Sequence, residues 1–141
     1  MLNEELKTKL TELFPAATFE EGGEWINMVV PAADWTTIAR QLKTEASLLF
    51  DYMFCLTCID WAGTAAGKTK MTMVYHLRST RHLHCLVIKI NLDRSKPEVE
   101  SVSDIWRTAE FHEREVYEMF GVQFLHHPDL RLLILPDGWE G

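Results

Sequence analysis

The sequence predicts an α/β domain of the α+β type, in which helices pack as one layer on a mostly antiparallel sheet. Three segments carry apolar residues at helical spacing, and five segments carry them at alternate positions. The length of 141 residues fits one domain and leaves little room for a second. The predicted order is α-β-β-α-β-β-β-α. Residues 1–121 form the domain, and residues 122–141 form an irregular C-terminal segment.

The first half of the chain predicts two helices separated by a hairpin. Leucines recur at helical spacing over residues 2–14, and Pro15 ends that helix. Residues 18–22 and 24–30 read as two strands around a glycine pair, which predicts a β-hairpin. Asp34 is placed to cap a second helix. The buried stripe of that helix consists of Trp35, Ile38, Ala39, Leu42 and Ala46.

Three further strands follow in the middle of the chain. Residues 51–61 are apolar at both odd and even positions, which is typical of a central strand covered on both faces. Residues 69–78 and 83–92 alternate between two sets of positions, one of which is strongly apolar. The three segments follow one another closely, so we expect them to form an antiparallel meander.

The last predicted helix covers residues 104–120. Ser103 suits its N-terminus, and Gly121 stands where a left-handed C-cap is expected. The apolar stripe of this helix consists of Ile105, Ala109, His112, Val116 and Phe120, widened by Met119. The other faces predict an exposed acidic surface that includes Glu113, Glu115 and Tyr117, with Arg114 one turn from both Glu110 and Glu118.

Residues 122–141 contain many apolar side chains, two prolines and no clear period. Two interpretations stay open for this segment. It wraps back over the sheet of its own domain, or it is a strap whose apolar side chains are covered by a partner protein.

The charge of the chain excludes one class of function and suggests another. The net charge of -7 does not fit a general nucleic-acid binder. Residues 68–96 carry seven basic groups and one acid, whereas residues 101–141 carry three basic groups and eight acids. We expect two oppositely charged interfaces, the basic one facing acidic neighbours or the membrane surface. The sequence holds neither the roughly 18–20 consecutive apolar residues of a membrane helix nor a secretory signal.

Few residues suggest chemistry within the chain. Cys55 and Cys58 form a C-x-x-C pattern, but a strand would place their sulfurs on opposite faces, so structural thiols are favoured over a metal or redox pair. Cys85 has the same interpretation, and His82 and His84 share a strand face without an interleaved carboxylate. A stand-alone metal or thiol protein stays as the alternative. Phosphate-binding glycine loops, a nucleophile elbow and a helical H-E-x-x-H site are not found.

The C-terminal third resembles a known family. The run from Glu113 to Phe124 (EREVYEMFGVQF), followed by His127-Pro128-Asp129-Leu130-Arg131 and by residues 135–141 (LPDGWEG), resembles the signature of the C subunit of respiratory complex I. This is a peripheral-arm component of NADH–quinone oxidoreductase. Residues 56–61 (LTCIDW) and 97–102 (PEVESV) resemble the same family more weakly.

The resemblance implies a structural component without a catalytic site, cofactor or metal of its own. Iron–sulfur clusters, FMN, NAD and quinone would be bound by partner subunits. The implied partners are the D subunit, which holds the quinone site, and the subunit with the terminal iron–sulfur cluster, on the cytoplasmic side of the bacterial inner membrane. The implied partner interface consists of Glu113, Arg114, Glu115, Glu118, Phe120, Gly121, Phe124, His127, Pro128, Asp129, Leu130, Arg131 and Trp139.

Two further points follow from the resemblance. Similar subunits occur in membrane-bound hydrogenases and in complexes fed by other electron donors, so the donor stays open. Family members generally continue past the Trp-Glu-Gly segment, and some are fused to the D subunit. We therefore hypothesise that the chain is an N-terminal piece of a longer protein.

Overall fold

A computed structural model describes residues 3–20, 23–61 and 70–127. These residues form three α-helices, one 3-10 turn (Ala32–Asp34) and seven strands. The helices are α1 (Asn3–Leu13), α2 (Trp35–Thr44) and α3 (Ala109–Phe120). The strands are β1 (Thr18–Glu20), β2 (Ile26–Val29), β3 (Tyr52–Asp60), β4 (Lys70–Ser79), β5 (His84–Asp93), β6 (Glu98–Glu100) and β7 (Gln123–Leu125).

Five strands form one mixed sheet in the order β1-β2-β5-β4-β3. The predicted hairpin β1–β2 and the predicted meander β3–β4–β5 are confirmed, and all of their pairs are antiparallel. The parallel pair β2–β5 joins the hairpin to the meander. This long-range pair needs a crossover connection, which here includes α2. The α+β fold class predicted from the sequence is therefore confirmed.

The prediction that residues 51–61 form a central strand is wrong, because β3 is an edge strand of this sheet. A register shift between Met53 and Cys55 places Met53, Leu56 and Cys58 among the buried residues. Phe54 instead packs edge-on against Trp25, with ring centroids 5.9 Å apart. Apolar residues on both faces thus reflect an aromatic cluster on the second face, and not a second layer of helices.

The core lies where α1 and α2 meet the sheet. Leu6 and Leu10 of α1 and the predicted stripe of α2 from Trp35 to Leu42 are buried in one cluster. Ala46 departs from the prediction, since α2 ends at Thr44 and Ala46 is exposed. Asp34 occupies the N-cap position of α2, but its side chain makes no capping hydrogen bond there.

α3 begins at Ala109, five residues after the predicted start. Residues 101–108 form a turn-rich segment instead of the first turns of the predicted helix. The side chains of Ile105 and Trp106 in this segment are buried in the core. The Trp106 indole N–H donates to the Phe50 carbonyl oxygen at 2.7 Å, and the Thr108 hydroxyl donates to the Met53 carbonyl oxygen at 2.7 Å. These bonds turn the segment toward the core, so Thr108 and not Ser103 precedes the helix.

Gly121 ends α3 in the left-handed conformation that the sequence predicts, with a φ of 75°. The next residues turn back to form β7, which pairs in parallel with β6. Val122 and Phe124 are buried. The prediction of irregular structure is therefore wrong for Gln123–Leu125, and residues 128–141 lie outside the described residues.

Candidate partner interface

Glu113 is the residue of the signature helix whose position differs most from the prediction. It is 0% exposed, so its assignment to an acidic surface is wrong. One carboxylate oxygen accepts the Ser101 hydroxyl at 2.6 Å, and the other accepts the Val102 N–H at 2.9 Å. The sequence contained a signal for this burial, because Glu113 lies four residues after Ala109 and three before Val116, on the buried stripe.

His127 reaches the same carboxylate from the end of β7. Its Nε2 lies 3.7 Å from a Glu113 oxygen and 3.1 Å from the Glu110 carbonyl oxygen, and its side chain is 1% exposed. The preceding His126 has a φ of 64° and exposes 83% of its side chain, which pairs with Glu100. The structure therefore brings Glu113 and His127 together inside the fold.

Burial raises the pKa of Glu113 to about 7. The hydrogen bonds from Ser101 and Val102 oppose this shift, and the charge of Asp104 adds to it. Burial also raises the pKa of Tyr75 on β4, and the nearby Glu113 carboxylate contributes to that shift. The Glu113 carboxyl group therefore exchanges its proton near neutral pH.

The outer side of α3 carries the exposed apolar residues of this region. Met119 is 66% exposed and Phe120 is 40% exposed. Together with Leu56 and Cys58 of β3 they line a groove of about 260 Å³, and Glu115 adds a carboxylate to its wall. An apolar groove with a charged rim is the kind of surface that a partner protein covers.

The predicted interface residues divide into three groups. Phe120 and Gly121 are exposed, and three charged residues of α3 are half-buried: Arg114, Glu115 and Glu118. The side chains of three others lie inside the fold: Glu113, Phe124 and His127. The remaining five lie outside the described residues: Pro128, Asp129, Leu130, Arg131 and Trp139.

Several groups of the predicted basic surface are paired within the chain. Lys89 contacts Glu20 at 2.8 Å, and Arg94 contacts Asp60 at 3.0 Å. The Lys70 ammonium lies 5.4 Å from the centroid of the Trp61 ring. Arg78, near the end of β4, and Arg81, in the turn that follows, are exposed. Within the described residues, part of the basic surface is therefore paired inside the chain, and Arg78 and Arg81 face solvent.

A polar cleft of about 530 Å³ lies between α2 and the β6–α3 region. Its walls carry two ion pairs, Arg40 with Asp104 and Glu100 with His126, and the carboxylate of Glu110. These ion pairs connect the elements around the cleft. Both pairs are largely exposed to solvent, so each has only a small effect on stability.

The histidines and cysteines singled out in the sequence have structural contacts. His82 and His84 each place Nε2 at 2.9 Å from a carbonyl oxygen, of Ala46 and of Leu48 respectively. Across the described part of the chain, no group of three or more His, Cys, Asp or Glu side chains could hold a metal ion. Burial and the charge of Asp60 raise the pKa of Cys58 to about 11, which keeps this thiol protonated.

We expect Cys58 to resist alkylation of the folded protein at pH 8, because the thiolate is the reactive form and the thiol is buried. Mass spectrometry of tryptic peptides after timed iodoacetamide treatment measures this. Cys85, which is half-buried, serves as the internal comparison and should be labelled first. Labelling of Cys58 before Cys85 would contradict the structural role of this thiol.

Among the described residues, none of the helices combines the length and the apolar character needed to cross a membrane.

Two solved structures have the same fold as this chain. A trypsin-resistant fragment of Nqo5 matches 92% of this chain and 100% of its own length, with a TM-score of 0.77 and 22% identity. A component of the membrane-bound sulfane sulfur reductase, an archaeal respiratory membrane complex, matches 96% of this chain and 77% of its own length. Its TM-score is 0.79 and its identity 26%. The fold thus defines a class that includes a component of an archaeal respiratory membrane complex.

Sequence comparison defines the family within this class. Residues 28–141 match the family described as respiratory-chain NADH dehydrogenase, 30 Kd subunit. The NADH-quinone oxidoreductase C subunit of Moorella thermoacetica is 35% identical over 133 residues, which cover 94% of this chain and 86% of that protein. The chain therefore belongs to the respiratory-chain NADH dehydrogenase 30 Kd subunit family, and the resemblance given by the signature residues is confirmed.

Other relatives are considerably longer than this chain. The NADH-quinone oxidoreductase C subunit of Chloroherpeton thalassium is 38% identical over 76% of this chain, which corresponds to 43% of that protein. The C/D subunit of Phocaeicola vulgatus is 43% identical over 72% of this chain, which corresponds to 19% of that protein. The matched part of this chain thus covers less than half the length of each of these two relatives.

Proposed function

We propose that this chain is a non-catalytic structural subunit of the peripheral arm of an NADH–quinone oxidoreductase. In this role it braces the quinone-site D subunit and the subunit with the terminal iron–sulfur cluster. Electron transfer from NADH to quinone, coupled to ion translocation, takes place on cofactors of partner subunits. The complex lies on the cytoplasmic side of the bacterial inner membrane, and this chain meets the membrane only through it.

The exposed side of α3 supports this proposal most directly. Met119 and Phe120 lie beside the acidic residues Glu115 and Glu118 at the end of the signature helix. A partner that covers the groove would bury these apolar side chains and meet the carboxylates with basic groups. The half-buried Arg114 and the exposed Gly121 belong to the same proposed interface. In the segment after His127, the proposed contacts come from Pro128, Asp129, Leu130, Arg131 and Trp139.

A second candidate differs in the electron donor. The sulfane sulfur reductase component matches 96% of this chain at 26% identity, so an equivalent structural role in a complex fed by another donor is the alternative. Purification of the native complex distinguishes the two. Co-purifying flavin and NADH-dependent quinone reduction support the NADH enzyme, whereas their absence from an intact complex favours the alternative.

We expect Met119→Glu to lower the yield of the D subunit that co-purifies with the tagged full chain at least about tenfold, because a charge would be buried in the apolar contact. Leu83→Glu is the matched control, since Leu83 is 70% exposed at the turn between β4 and β5 and does not line the groove. Co-purification at the wild-type yield with Met119→Glu would contradict the α3 interface.

Asp129→Ala with Arg131→Ala tests the C-terminal strap in the same assay, and wild-type yield there would contradict the strap.

A further inference from the structure

Glu113 and His127 lie in different elements of the chain and meet in the interior. The Glu113 carboxylate is 3.7 Å from His127 Nε2, and both side chains have almost no exposure. The imidazole also lies 3.1 Å from the Glu110 carbonyl oxygen, one turn earlier on α3. The end of β7 is thereby held against the N-terminal half of α3.

The same carboxylate also holds the end of β6. Ser101 and Val102, which follow β6 directly, both donate hydrogen bonds to Glu113. The Ser101 N–H donates to the Leu125 carbonyl oxygen at 2.9 Å, and so connects this turn to β7. The Glu113 side chain of α3 therefore lies against the residues that follow both strands of the β6–β7 pair.

A buried polar cluster of this kind is not needed for stability alone. Apolar side chains of similar volume often stabilise a fold equally well, whereas buried hydrogen-bonded groups can specify one arrangement over its alternatives. In this chain the backbone conformation also favours one arrangement of the residues after β7. The left-handed turn at His126, with a φ of 64°, directs the next side chain under α3 instead of continuing β7.

We propose that His127, which lies within hydrogen-bond distance of the Glu110 carbonyl oxygen and beside the Glu113 carboxylate, forms an internal latch with α3. The latch holds the end of β7 against α3 and thereby fixes the point from which the chain continues after His127. The latch assigns these two residues of the signature to a contact inside the chain. It does not depend on the proposed function, because it is a property of the isolated chain.

Hydrogen exchange of the purified full chain, followed by NMR, tests the latch. In His127→Ala we expect the Ser101 and Gln123 amides to exchange about tenfold faster, because their acceptors, the carbonyl oxygens of Leu125 and Pro97, report the β6–β7 pairing. The amides between β4 and β5 should keep their wild-type rates. His127→Asn gives the same readout with a side chain that stays polar, should the alanine variant not fold.

His126→Asn is the matched control, because it changes the neighbouring imidazole and retains a residue that tolerates a positive φ. We expect a change of less than about threefold there, since the His126–Glu100 pair is exposed. Unchanged Ser101 and Gln123 rates in the His127 variants would overturn the latch. It would also be overturned by equal acceleration of all amides, or by equal acceleration in His126→Asn.

Discussion

Glu113→Gln is expected to remove a large pH dependence from the stability of this protein. The folded state holds the Glu113 proton more tightly than the unfolded chain, since the pKa of Glu113 rises from 4.5 to about 7 on folding. Linkage then requires the wild-type free energy of unfolding to fall as the pH rises from 4.5 through 7. The difference amounts to about 3 kcal/mol, with the favourable contribution fully present below pH 4.5.

Urea denaturation of the wild type and Glu113→Gln between pH 4 and pH 8.5 measures this difference. Titratable groups far from Glu113 cancel, so the difference between the two profiles reports Glu113 together with its neighbour His127. We expect the glutamine variant to gain stability relative to the wild type as the pH rises. Parallel profiles would show that Glu113 titrates near its ordinary pKa, and would contradict this environment.

Ser101→Ala tests the hydrogen bond that opposes the raised pKa of Glu113. The Ser101 hydrogen bond lowers the pKa of Glu113, so its removal should raise that pKa further and extend the loss of stability to higher pH. Asp104 and Tyr75 remain in place in both variants. A shift of the profile toward lower pH in Ser101→Ala would contradict the assignment of this hydrogen bond.

The sequence predicted those parts of the fold that depend on local patterns. The leucine spacing of α1, the alternation of β4 and β5 and the glycine at the end of α3 each reflect one element and its immediate neighbours, and each is found in the structure. The edge position of β3 was not predictable in this way. Its second apolar face contacts Trp25, which lies about thirty residues away in sequence.

The candidate site shows the same distinction. The signature residues identified the region and the family, but residue type alone misplaced Glu113, because charged residues are seldom fully buried unless paired. Its partners Ser101 and His127 are twelve and fourteen residues away in sequence. Only the folded structure shows that the Glu113 carboxylate lies beside both Ser101 and His127. The exposure of Met119 and Phe120, by contrast, is compatible with the proposed docking surface.

Trp106→Ala is expected to destabilise the fold by about 4 kcal/mol, because it removes a large buried side chain and leaves a cavity. The Trp106 ring lies 6.0 Å from that of Trp35 on α2, and its N–H bond to the Phe50 carbonyl oxygen fixes the turn before α3. The same turn is held from α2 by a hydrogen bond from Lys43 to the Ile105 carbonyl oxygen.

Guanidinium denaturation at one pH compares Trp106→Ala with Phe111→Ala, an aromatic truncation on α3 at a position that is 52% exposed. We expect the Phe111 variant to stay within about 0.5 kcal/mol of the wild type. Trp106→Phe keeps most of the ring and loses the hydrogen bond, so we expect about 2 kcal/mol. If Trp106→Ala lowers the free energy of unfolding by less than about 1 kcal/mol, the contacts of Trp106 do not position α3. That result would also contradict the role given to the turn before α3.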